Sequence, residues 1–126
     1  MIDEIDAKFH IRGKPVIYSW GDILYNPMRI TIPLSLINHE MVHGEQQKEW
    51  GIEQWWEDYI ASVKFRLDQE VMAHAVEYLT LITPNPGRQR RRRALILTAK
   101  RLAGPLYGKI TSVDKAKRLI LEEIKP

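Results

Sequence analysis

The chain has no cysteine among its 126 residues. That excludes a disulfide framework and a thiolate metal site, and it suits a reducing compartment. No stretch approaches the roughly 18 apolar residues that a membrane-spanning helix needs. The first ten residues, "MIDEIDAKFH", are acidic and lack a long apolar run, so no secretory signal is read there. A cytoplasmic location is the expectation. Internal repeats are absent, and so is low complexity apart from one arginine run. What is present is an ordinary globular balance, 44% hydrophobic and 28% charged. The length suits a single domain over 1–126 with a core of its own.

Charge is unevenly placed. Residues 1–87 hold 7 Lys/Arg and 13 Asp/Glu, a net of −6, whereas residues 88–126 hold 12 and 3, a net of +9. The split points either to an internal acidic–basic docking surface or to a basic segment for nucleic acid. The run "RQRRRR" (88–93) has no interleaved aromatic for base stacking, and "ALILTAKRL" behind it reads as an ordinary amphipathic helix. A solvated or internally paired basic face is the expected reading. Nucleic-acid contact through the helix 88–103 is the alternative.

Strand signals lie early. "KPVIYSW" (14–20), "DILYN" (22–26) and "MRITI" (28–32) predict two or three short strands. From Pro33 the period changes to a helical one. Helices are predicted over 33–50, 53–61, 63–82 with Ser62 as N-cap, 88–103, and about 113–124 with Ser112 as N-cap. Gly51 and the breaker "TPNPG" (83–87) separate them. The fold class expected is α+β: a small N-terminal antiparallel sheet, then four to five helices.

The helix at 33–50 carries "HEMVH" (39–43), the pattern H-E-x-x-H. Positions i and i+4 share a helix face, with Cβ atoms about 5–6 Å apart. His39 and His43 can thus present two imidazoles to one ion, while Glu40 can reach a water on that ion. Two nitrogen ligands and a base for water are what a hydrolytic zinc site needs. The plain alternative is a surface helix with two histidines. Catalytic zinc takes three protein ligands. Cysteine is absent and "GEQQKEW" supplies no further histidine, so a carboxylate on another helix is expected. Glu70, flanked by Val71, Met72 and Ala73 on the 63–82 helix, is the best candidate. Asp68 and Glu77 are its rivals.

"HEMVH" with "EVMAH" (70–74) downstream resembles the gluzincin metallopeptidases, whose signature is H-E-x-x-H plus E-x-x-x-D on a later helix. The resemblance implies a minimal zincin-like fold, with zinc held by His39, His43 and Glu70 and with Glu40 as the catalytic glutamate. His74 stands where many gluzincins have an aspartate that supports the first histidine, a departure from the pattern. "HEMVHGEQQ", "WWEDYIASVKFRLDQE" and "AGPLYG" are also similar to small metallopeptidase-like proteins of bacteriophages and prophages, over most of the chain from about Pro15. If the chain is phage-encoded, the cytoplasm in question is the host's. In zincins an edge strand above the site pairs with an extended substrate, and residues 22–32 are the candidate here.

His74, Tyr78 and Arg66 are candidates to stabilise a developing oxyanion or to support the ligands. Gln46 and Gln47 follow His43 at helical spacing and either orient the site or cap the helix. Trp50, Trp55 and Trp56 are read as core packing and a partner surface, with a cleft wall as the alternative. The expected reaction is peptide-bond hydrolysis on a peptide or protein substrate. Zinc brings the pKa of its bound water toward about 7, and Glu40 carries the proton to the leaving amine. A chain this short has little room for a second lobe, so a protein partner or a homodimer is expected to complete the cleft. A non-catalytic zinc-containing protein of phage assembly, or a partner-binding module, is the second reading.

Overall fold

A computed structural model describes residues 2–9, 14 and 16–126. The order is α1 (Ile2–Phe9), β1 (Tyr18–Trp20), β2 (Ile23–Tyr25), α2 (Leu34–Trp50), α3 (Ile52–Ala61), α4 (Val63–Ile82), α5 (Arg88–Leu102), a 3₁₀ turn (Pro105–Tyr107) and α6 (Val113–Glu123). The chain is α+β, with one antiparallel pair of strands ahead of the main helical body. No helix among the described residues is long and apolar enough to cross a membrane.

Local chemistry explains the helix ends. The Ser62 hydroxyl accepts from the Phe65 N–H at 3.1 Å, and the Ser112 hydroxyl from the Lys115 N–H at 3.2 Å. Each satisfies one of the orphan donors of a first turn. Gly51 takes a positive φ of 95°, which turns the chain from α2 into α3 at little steric cost.

Two departures from the sequence reading stand out. Residues 28–32 are not a strand. The Asn26 side chain takes the Ile30 backbone instead, donating to its carbonyl at 2.8 Å and accepting from its N–H at 3.1 Å. An asparagine that closes a loop on itself in this way removes the donors and acceptors a ladder would use. The helix α1 was not anticipated either. It buries Ile5 completely against the aromatic residues of α3.

Among the described residues the interior has two apolar clusters. Val71, Ala75, Tyr78, Ala94, Ala99, Leu102, Ala116 and Ile120 join α4, α5 and α6. Ile5, Tyr18, Trp55, Trp56 and Tyr59 join α1, β1 and α3. Fully burying a side chain such as Leu102 or Ile120 is worth about 1.5–3 kcal/mol. The Gln47 amide of α2 holds the hairpin at two points. Gln47 accepts from the Gly21 N–H at 2.6 Å and donates to the Ser19 carbonyl at 3.0 Å. Gly44 permits that approach, since a Cβ there would stand 2.6 Å from the Gly21 carbonyl oxygen.

Candidate metal centre

The inward face of α2 is polar. Ser35, His39, His43, Gln46 and Gln47 are buried there. The facing side of α4 buries Arg66, Glu70, His74 and Glu77, which fall one helical turn apart in succession. Buried polar side chains cost free energy unless partnered, so two such faces packed together call for an account of every donor and acceptor.

His39 Nε2 lies 3.2 Å from Glu70 Oε1, and His43 Nε2 lies 3.0 Å from Glu70 Oε2. The two imidazoles therefore address different oxygens of one carboxylate. Both separations are close to the roughly 3.3 Å expected between two donors held about 2.0–2.1 Å from a tetrahedral ion. His43 Nε2 and Glu70 Oε1 have no hydrogen-bond partner despite full burial. Short distances without hydrogen-bond alignment fit groups that converge on a common cation. Two overlapping triads place one ligand atom from each residue within 4.8 Å of the others: His39, Glu70 and His74, and His39, Glu40 and His43. The donor set, imidazole and carboxylate without sulfur, suits zinc and its neighbours in the first transition row.

The outer nitrogens are held. His39 Nδ1 meets Glu77 Oε1 at 2.9 Å, and His43 Nδ1 meets Gln46 Oε1 at 2.9 Å. Arg101, from the last turn of α5, donates to the second oxygen of Glu77. The Tyr59 hydroxyl donates to Glu70 Oε2 at 2.6 Å. The Ser19 hydroxyl on β1 sits 2.8 Å from Glu40 Oε2 and 2.7 Å from the Glu40 carbonyl oxygen. Partners of this kind fix ring orientation and raise ligand basicity.

Electrostatics follow from this crowding. Burial alone would lower the pKa of His39, but the adjoining carboxylates of Glu70 and Glu77 reverse that and push it up to about 10. His43 is raised as well, where the Glu70 carboxylate outweighs burial. Glu70 is held well below the ordinary range, because the two histidines outweigh its desolvation. Glu77 is lowered, with His39 and Arg101 outweighing burial. His74 goes the other way, down to about 3, mainly through burial and then through the charge of His39. It stays neutral, its Nδ1 is 2.7 Å from the Glu70 backbone carbonyl, and its Nε2 is buried without a partner.

The remaining candidates occupy other places. Tyr78 packs in the α4–α5–α6 core. Arg66 is buried and braces loops, donating to the carbonyls of Tyr59, Ile60 and Tyr107 at 2.9 Å each. Asp68 is exposed and pairs with Lys64. Trp55 and Trp56 are core residues, while Trp50 is half exposed and donates to Asp58. Arg101, Tyr59 and Ser19 were not assigned to the site from sequence, and Glu77 was weighed there only as a rival ligand to Glu70. Glu77 carried a visible signal, lying two turns beyond Glu70 on the same face. Arg101 and Ser19 are distant in sequence and carried none. A cavity of about 50 Å³ opens beside the cluster, lined by Ser19, Glu40, His43, Glu70, Tyr59 and Tyr107 among others. No protein-family model, curated protein or solved structure matches the chain.

Proposed function

We propose that the protein is a metal-dependent peptide hydrolase, with His39, His43 and Glu70 holding a zinc ion and Glu40 acting as general base. The observation that carries this reading is the pair of orphaned ligand atoms, His43 Nε2 and Glu70 Oε1, buried next to Glu40. Zinc bound there would supply a Lewis acid and a more acidic water. The chain's own groups do the rest. Glu77 and Gln46 orient the two imidazoles, and Tyr59 keeps one lone pair of Glu70 engaged. Glu40 follows His39 directly, so its carboxylate faces the same space, 4.0 Å from His39 Nε2. From there it takes a proton from the attacking water and returns it to the leaving amine. Burial of the cluster keeps bulk water from competing.

The test compares wild type with Glu40→Gln at matched zinc content on one broad peptide panel. Native mass spectrometry should find one zinc per chain in both. Hydrolysis by the variant should fall by on the order of 10²-fold or more, the size of a general-base contribution. Loss of zinc from Glu40→Gln would make Glu40 a ligand. Unchanged turnover would assign the base elsewhere. No turnover by either protein would favour a non-catalytic metal protein.

A further inference from the structure

The arginine run is not absorbed by the metal centre. Arg88 and Arg90–Arg93 open α5, and residues 83–93 are exposed throughout. Arg90 donates to the Leu81 carbonyl at 3.2 Å. Among the described residues, the side chains of Arg88, Arg91, Arg92 and Arg93 make no hydrogen bond and no ion pair. The acidic first part of the chain therefore does not neutralise the run as a paired face would. The first turn of α5 also holds no acidic residue, and its cap has no side-chain hydrogen bond. Cations at a helix N-terminus oppose the helix dipole. Four of the five arginines in these six positions keep this arrangement without an internal side-chain partner.

We propose that the exposed start of α5 docks into the major groove of duplex DNA, with its arginines on the phosphates of both strands. At about 100° per residue, these side chains radiate around the whole helix rather than along one stripe. A groove about 12 Å wide admits an α-helix and puts phosphates on both of its walls. A flat anionic bilayer would meet only one side. A membrane-surface helix also needs a free apolar face, and that of α5 is spent in the core, with Ala94, Ala99 and Leu102 buried. The deep, narrow major groove of duplex RNA would exclude the helix. Gln89 and Asn85, beside Arg90 and Arg93 in one surface groove, add amide groups next to the charges.

The experiment is fluorescence anisotropy of the full chain with a mixed-sequence DNA duplex, the matching single strand, and vesicles of phosphatidylserine and phosphatidylcholine, from about 50 to 200 mM salt. Five phosphate contacts set a slope of about −4 to −5 in log K against log salt, a loss on the order of 10²-fold or more over that range. Replacing Arg90, Arg91, Arg92 and Arg93 with glutamine should bring the slope to about −1, with an unchanged circular-dichroism spectrum. All four side chains are exposed, so the fold should survive. Duplex binding that the variant retains in full overturns the proposal. So does preference for the vesicles or the single strand, and so does absence of duplex binding at low salt.

Discussion

Glu77 Oε1 stands 2.9 Å from His39 Nδ1, across the ring from the Nε2 that faces Glu70. One carboxylate thus fixes the tautomer and the tilt of the imidazole that both candidate metal triads share. Glu77→Gln keeps the acceptor oxygen and removes the charge. Zinc affinity should fall about 10–100-fold, the usual effect of losing a partner behind a ligand histidine. Competition with a chromogenic chelator measures it. An unchanged affinity would mean that the packing of α2 on α4 orients His39 without help.

Stability of the metal-free protein should peak near pH 6.5. His39 rises from 6.5 to about 10 on folding, so its contribution is full below about 6.5 and is lost as the pH climbs toward 10. His74 drops from 6.5 to about 3, so its contribution is present above about 6.5 and is lost as the pH falls toward 3. Glu70 and Glu77, both lowered, add to the loss at the acid end. Thermal melts with a chelator present, from about pH 5 to 9, should show Tm declining on both sides. A Tm that rises steadily through pH 8 would mean that His39 is neutral in the folded, metal-free chain.

Gly44→Ala should loosen the hairpin. The new Cβ would stand 2.6 Å from the Gly21 carbonyl oxygen, a backbone atom that no rotamer change can move aside. Forced overpacking of this kind typically costs about 1–3 kcal/mol. Chemical denaturation of the metal-free protein reads the loss. A neutral result would show that the hairpin shifts freely on α2.

Ser19→Ala should leave zinc binding intact and slow hydrolysis about 10-fold or more, because the Glu40 carboxylate loses its fixed donor and misplacement of a reacting group is expensive. Ser19→Thr restores the hydroxyl and should recover most of the rate. Equal rates for all three proteins would show that Glu40 needs no such restraint.

Much of this architecture was legible from local signals. Ser62 and the "TPNPG" breaker bound α4 as read, because a cap and a proline act within a few residues. His39 and His43 share a helix face as their spacing suggested, and Glu70 lies against both. Other features depended on distant contacts. The eight residues of α1 are rich in charge, and their helix gains its support from α3. "MRITI" has strand composition, yet Asn26 competes for its backbone. The gluzincin pattern would put the support of His39 four residues after Glu70, where this chain departs from it with His74. That support comes instead from position 77, whose partner Arg101 belongs to another helix.

α4 is clamped on both sides, by α2 through the histidines and by the α5–α6 core through Val71, Ala75 and Tyr78. No flexible loop carries Glu70. An ion lodged against it would rest on a rigid wall and face the cavity lined by Glu40, His43 and Glu70. Exchange with solvent or with a chelator would run through that mouth, while the helix behind the ion stays still.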